Sequence, residues 1–256
     1  MNLSNYIDTM NLSLEERHRG DCPVCGGRNT FTATRTCEGI LYNCYKAGCK
    51  LSGTRPTSVT VSDMKHKNSN NKKKVDFKLP EYLLPNRTEV TVWASSYQLD
   101  ASVLNLLYDV KEHRVVFPVN YNGKMVDATG RALRLRQKPK WKRYGSSSYA
   151  YICGAGAIAV VVEDCISAAT VSSISSKATG VALMGTSLLP DHLLQLQKYN
   201  KIIVALDPDA ARKTFEFTRQ LRGTVDTASV YALNLKDDLK YRRKADIINL
   251  NLLLSH

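Results

Sequence analysis

The stretch KIIVALDPDAARKTFEFTRQLRG, residues 201–223, decides how this chain is read. Ile202 to Leu206 form a continuous apolar run, the pattern of a strand buried on both faces. The run stops at Asp207 and Asp209, with Pro208 between them to stiffen the turn. A helical pattern follows to Arg222, where Gly223 supplies a stop. The two acids therefore stand at the carboxyl end of a strand, where open α/β sheets collect ligands. Capping of the next helix is the competing role for them.

The same alternation surrounds this stretch. The apolar segment AIAVVVE (157–163) precedes a helix of small residues, SAATVSSISS. GVALMG leads to PDHLLQLQKY, and ASVYAL precedes the C-terminal DLKYRRKADIINLNLLL. Fully apolar strands separated by helices predict a parallel α/β sheet. Glu163 closes one strand as Asp207 follows another, so both emerge on one edge of such a sheet. Three converging carboxylates, Glu163, Asp207 and Asp209, repel one another unless a cation joins them, and magnesium favours oxygen ligands. Asp164 either faces solvent or begins the next helix. Asp237 and Asp238, in LNLKDDLK, again follow a strand, where metal assistance and helix capping are the alternatives.

Five of the seven cysteines lie between Cys22 and Cys49. Cys22 and Cys25 have two residues between them, and Cys44 and Cys49 have four. The intervening TFTAT and GILYNC are strand-like and long enough for a hairpin that brings the two pairs together. Four thiolates in a closed tetrahedron suit a structural Zn²⁺, with no position left for substrate. Cys37 is a spare and His18 a weaker substitute. Cys153 and Cys165 read as core residues.

The net charge is +13, and residues 54–150 hold ten of the surplus positive charges. Such a belt points to a polyanion, with nucleic acid foremost. Between Arg131 and Arg143 stand seven cations and no acid: Arg131, Arg134, Arg136, Lys138, Lys140, Lys142 and Arg143. Trp141, Tyr144, Tyr149 and Tyr151 are interleaved with or follow them, the mixture that a single-strand groove uses. Residues 54–79, rich in Lys, Asn and Ser, have the composition of a flexible basic linker. LDASVLNLLYDV (99–110) has apolar residues at helical spacing behind Asp100, and Asn122-Gly123 marks a hairpin between two strands. No apolar run is long enough to span a membrane, and the polar, acidic N-terminus is unlike a signal peptide, so a cytoplasmic protein is expected.

These features, in this order, resemble the DnaG-type primases, especially those of bacteriophages. The zinc ribbon of that family is matched by CPVCGG…LYNCYKAGC. The entry to its RNA-polymerase body is matched by RVVFPVNYNGKMVDATGRALRL…KPKWKRY. The glutamate of its Toprim core matches Glu163 in VVVEDCISA, and its Asp-x-Asp matches Asp207 and Asp209 in VALDPDAARK. Two departures stand out. The family glutamate is commonly followed by glycine, and four residues on by an acid, where this chain has Asp164 and Ser167. The second cysteine pair is also two residues wider than common.

The resemblance implies an α/β fold in which a small zinc-ribbon domain is linked to an RNA-polymerase body with a Toprim parallel α/β core. The expected division is a DNA-recognition ribbon over 1–53, the linker over 54–79, the first part of the polymerase body with its template groove over 80–150, and the catalytic core over 151–256. It implies a primase joining ribonucleotides into short RNA primers on single-stranded DNA. Asp207 and Asp209 would bind Mg²⁺, and Glu163 would bind metal or take a proton from the attacking hydroxyl, in a two-metal arrangement. Arg131, Arg134, Lys138, Lys140 and Lys142 would contact template and triphosphate, while the ribbon helps select the initiation sequence. No G-x-x-x-x-G-K-[ST] loop is present, so a separate replicative helicase and a DNA polymerase are the expected partners, in the bacterial host cytoplasm if the chain is phage-encoded. Two rivals share these modules. One is a non-catalytic recombination mediator with a zinc module and a Toprim domain. The other is a Toprim nuclease or topoisomerase, and thirteen tyrosines leave its nucleophile open.

Overall fold

The computed structural model describes residues 3–14, 16–36, 38–57, 77–185, 187–225 and 228–255. The chain divides into two compact units, Met1–Val75 and Asp76–His256. Most of the expected linker, residues 58–76, lies outside the described residues, as does Cys37.

The first unit is a short helix, α1 (Leu3–Asp8), and a four-stranded antiparallel sheet. Its strands β1 (Arg17–Gly20), β2 (Phe31–Thr36), β3 (Gly39–Cys44) and β4 (Ser52–Pro56) lie side by side in chain order. The two strands expected from TFTAT and GILYNC are β2 and β3, and the sheet continues beyond residue 53 through β4. Phe31, Ala33 and Ile40 bury against Ile7, with the Tyr6 ring edge-on to Phe31 at 6.0 Å. This core is small, so cross-linking through the cysteines matters to it.

The second unit contains two five-stranded sheets. In the first, β5 (Leu83–Pro85), β6 (Leu107–Asp109), β7 (Arg114–Tyr121), β8 (Lys124–Ala132) and β9 (Trp141–Arg143) are antiparallel neighbours. The β7–β8 hairpin turns at Asn122 and Gly123, both at positive φ (49° and 73°), as a tight turn matched to strand twist requires. A helix, α2 (Thr88–Ser95), precedes β6. The helix expected over 99–110 does not form. Asp100 closes a turn there, its Oδ1 accepting from the Ser102 and Val103 amides at 2.8 and 3.3 Å. Asn105 then turns left-handed (φ 50°), and the apolar Leu107–Asp109 pairs into the sheet as β6. Sheet pairing outweighs helical spacing here.

The second sheet is the predicted parallel one. Its order is β10 (Tyr151–Cys153), β12 (Ala178–Ala182), β11 (Ile158–Val162), β13 (Lys201–Val204) and β14 (Ser229–Ala232), with only β10 antiparallel. Apolar residues on both faces of β11 explain the layering. Val160 and Val162 bury in the core shared with α3 (Cys165–Ile174) and α6 (Lys244–Ser255). Ala159 and Val161 bury with Leu196 of α4 (Pro190–Leu196) and Phe217 and Leu221 of α5 (Ala211–Arg222). The small residues of α3 have a steric cause. A Cβ on Gly180 of β12 would stand 2.1 Å from the Ala168 carbonyl oxygen, so helix and strand approach closer than any larger residue allows.

Candidate active site and metal centre

Cys22 and Cys25 lie on the β1–β2 connection, Cys44 ends β3, and Cys49 follows in the turn to β4. Backbone bonds from Cys22 N to Gly27 O (2.9 Å) and from Tyr45 N to Thr30 O (2.8 Å) close the two turns onto each other. The four sulfurs all lie within 4.8 Å of one another, and Cys25 Sγ is 3.8 Å from Cys44 Sγ. A tetrahedron with Zn–S bonds of about 2.3 Å has edges of about 3.8 Å, so the donor set fits zinc. The Thr30 hydroxyl, 3.4 Å from Cys44 Sγ, is the main influence lowering that thiol to about 6, which favours the thiolate. His18, on β1, stands outside this group.

The acids occupy the carboxyl ends of the parallel strands. β11 and β13 are parallel neighbours, so Glu163 and Asp207 leave the sheet at the same end. The Glu163 carbonyl accepts from Met184 N (3.0 Å) after β12, and Ala205 N reaches back to Val161 O (2.8 Å), which fixes both exits. Pro208–Ala210 form a single 3₁₀ turn that carries Asp209 into α5. Neither acid caps that turn or α5 with its side chain. The capping role belongs instead to Asp164, whose Oδ1 accepts from Ser167 N at 2.9 Å and starts α3.

These carboxyls feel one another. Burial raises the Glu163 carboxyl above its ordinary range, and Asp209, Asp164 and Asp238 push it further. Burial raises Asp207 to about 7; Asp238, Asp164 and Glu163 add to this while Lys240 opposes it. Yet no three acidic side chains among the described residues bring oxygens within 4.8 Å of one another. The tight convergence of Glu163, Asp207 and Asp209 expected from the sequence is therefore not seen: the rim carries carboxylates that share one end of the sheet with their oxygens apart.

Lys240 carries no signal in its local sequence. It lies on a 3₁₀ turn, Leu239–Tyr241, with its side chain only 4% exposed. Its Nζ is 3.0 Å from Asp164 Oδ2 and also bonds Asp238 Oδ2. Burial works against this ammonium, but the two carboxylates outweigh it and hold its titration above the ordinary lysine range. Asp237 serves the backbone, its Oδ1 accepting from Asp238 N at 2.9 Å.

The basic stretch forms the edge strand β9 and the loop before it. Arg134, Lys138 and Lys140 are exposed on that loop. Arg131, on β8, stacks its guanidinium over Trp141 at 5.4 Å, and its Nη1 is buried without a hydrogen-bond partner. Lys142 bonds Glu112 and sits 5.2 Å from the Tyr144 ring centre. The buried Arg114 anchors the loop, donating to Pro139 O (2.8 Å) and Glu112 (2.9 Å). Arg143 belongs to the scaffold: it bonds buried Asp127 and reaches Met184 Sδ at 3.6 Å. Since Met184 also bonds Glu163, this edge of the first sheet lies beside the acidic rim.

No protein-family model and no curated protein sequence matches the chain. Solved structures do. The chain resembles the DnaG primase catalytic domain bound to single-stranded DNA, at 15% identity and a TM-score of 0.53, over 66% of this chain and 71% of that one. It also resembles the zinc-binding and RNA polymerase domains of the Aquifex aeolicus primase, at 16% identity and a TM-score of 0.51, over 98% of this chain and 82% of that one. The chain thus has the mixed α/β fold of the zinc-binding and RNA polymerase domains of DnaG-type primases, with a four-cysteine cluster that can hold zinc.

Proposed function

We propose that the protein is a DNA primase, a DNA-directed RNA polymerase that makes short RNA primers on single-stranded DNA during bacteriophage DNA replication. The observation that carries the reading is the exit of Glu163 and of Asp207, whose side chain makes no capping bond, from neighbouring parallel strands at one end of the sheet, within a primase-like fold. In this reading the parallel sheet is a Toprim core over 151–256, residues 80–150 form the template groove, and 1–53 with β4 form the DNA-recognition ribbon on its linker.

Glu163, Asp207 and Asp209 would hold magnesium, which when bound neutralises triphosphate charge and polarises the reacting phosphoryl group. The chain's own residues do the rest. The 3′-hydroxyl oxygen of the growing primer attacks the α-phosphorus of a ribonucleoside triphosphate, forming the new P–O bond as the bond to pyrophosphate breaks. Glu163, whose proton affinity burial raises, would be the alternative acceptor of the hydroxyl proton where it does not bind metal. Arg131, Arg134, Lys138, Lys140 and Lys142 hold template phosphates and the triphosphate, and Trp141, already stacked with Arg131, gives that edge an aromatic surface. A replicative helicase and a DNA polymerase are the partners in this reading.

The test is synthesis of labelled RNA from four ribonucleotides on mixed single-stranded templates. Primer products that vanish in Asp207→Ala support the assignment. Activity surviving that change overturns it, as does metal-dependent strand cleavage without ribonucleotides.

A further inference from the structure

The acidic rim contains one buried positive charge that the proposed chemistry does not use. Lys240 reaches it from the segment after β14, 76 residues along the chain from Asp164. Two of its three ammonium protons have defined acceptors, Asp164 Oδ2 and Asp238 Oδ2. Both acids are tied from their other sides. Asp164 Oδ1 is committed to the first turn of α3 through Ser167 N. The backbone before Asp238 is locked by buried Asp246, which accepts from Lys236 N and Asp237 N at 3.0 Å each.

We propose that the Lys240 ammonium is a resident cation of the rim: it clamps Asp164 and Asp238 and withholds them from metal, so that a divalent ion is taken by Glu163, Asp207 and Asp209 alone. The inference rests on the magnesium reading above. Its physical basis is mutual exclusion. A divalent ion coordinated by Asp164 and Asp238 would stand within a few ångströms of an ammonium that has almost no contact with water. The two cations would repel strongly at that separation and depth. Displacing the ammonium would leave a buried charge without partners, a costly state. An ammonium that already satisfies the two carboxylates therefore occupies the place of a second ion. Lys240 acts as a positioning residue, since it fixes the acids that border the metal and shapes how many ions the rim accepts.

Mn²⁺ is the probe, titrated into the full-length, zinc-loaded protein and counted by the loss of the free-ion paramagnetic resonance signal. In the wild-type protein, Asp207→Asn should weaken Mn²⁺ binding by about tenfold or more, as expected for loss of a ligand, whereas Asp238→Asn should change it by less than about twofold. Lys240→Gln should bind one more Mn²⁺ per chain, and Lys240→Arg should restore the wild-type count. Equal counts in wild type and Lys240→Gln, or an Asp238→Asn loss as large as that of Asp207→Asn, would overturn the proposal. Should Lys240→Gln fail to fold, the comparison of Asp207→Asn with Asp238→Asn decides alone. A wild-type protein that binds no Mn²⁺ beside a Lys240→Gln variant that does would remove the magnesium reading while supporting the resident cation. Binding by neither would remove both.

Discussion

Arg143 grips Asp127 with two nitrogens, Nη2 at 2.6 Å and Nε at 3.1 Å from the same carboxylate oxygen, and the Asp127 side chain has no exposure to solvent. The carboxylate also accepts from the amides of Gly145 (2.7 Å) and Ser147 (3.0 Å). One buried acid thus folds the segment after β9 back against β8. Removing the arginine leaves a buried charge only partly compensated by amide dipoles. Arg143→Ala should lower unfolding free energy by about 3 kcal/mol, measured by urea denaturation. Asp127→Asn combined with it should recover part of the loss.

The Asp207 carboxyl has a pH signature. Its raised titration, about 7, means the folded, metal-free chain binds a proton that the unfolded chain has already released above about pH 4. Between those values the unfolded state binds fewer protons, so stability falls as pH rises, and above about 7 the contribution is gone. The melting temperature of metal-free protein should therefore decline from pH 5 to pH 8 through this group. Asp207→Asn should flatten that part of the profile, and so should millimolar Mg²⁺ if the metal reading holds. An unchanged slope in Asp207→Asn would contradict the assigned burial.

The cysteine cluster predicts one zinc per chain by elemental analysis. Cys44→Ser should lose the metal and unfold the first unit, because a core as small as Ile7, Phe31, Ala33 and Ile40 draws its stability from the cross-link. Two-dimensional NMR should show dispersed signals collapsing for residues of β1–β4 while those of Asp76–His256 persist. Cys37→Ser should leave the zinc content unchanged.

Lys138 and Lys140 are exposed on the loop that Arg114 anchors, and they make no side-chain bond among the described residues. If both meet template phosphates, Lys138→Ala with Lys140→Ala should reduce the salt dependence of single-strand binding by about 1.4 in the log–log slope. Fluorescence anisotropy across 50–300 mM salt reads this directly. Lys142→Ala should cost stability as well as strand binding, since its ammonium also serves Glu112.

Much of this architecture was legible beforehand, and the exceptions share a cause. Cysteine spacing and fully apolar strands are local signals, and the structure places both where the sequence puts them. The shared exit of Glu163 and Asp207 follows from strand parallelism, a rule of the fold class. What the sequence did not reveal depends on distant partners. Residues 107–109 join a sheet because β7 is there to pair with them. Lys240 bridges to Asp164 across 76 positions, and no periodicity carries such information, whereas the start of a helix at Asp164 was one of the two roles its local sequence offered. Arg143 looked like one more cation of a nucleic-acid groove until its buried acid was found.

The parallel sheet has two unlike ends. The acids stand at one, while the turns at Ser176–Lys177 and Lys198–Asn200, exposed except for buried Tyr199, close the other. Exposed turns tolerate added chain well. A fluorescent tag grafted at either turn would stand at the far end of the sheet from the acids, clear of the chemistry proposed for them.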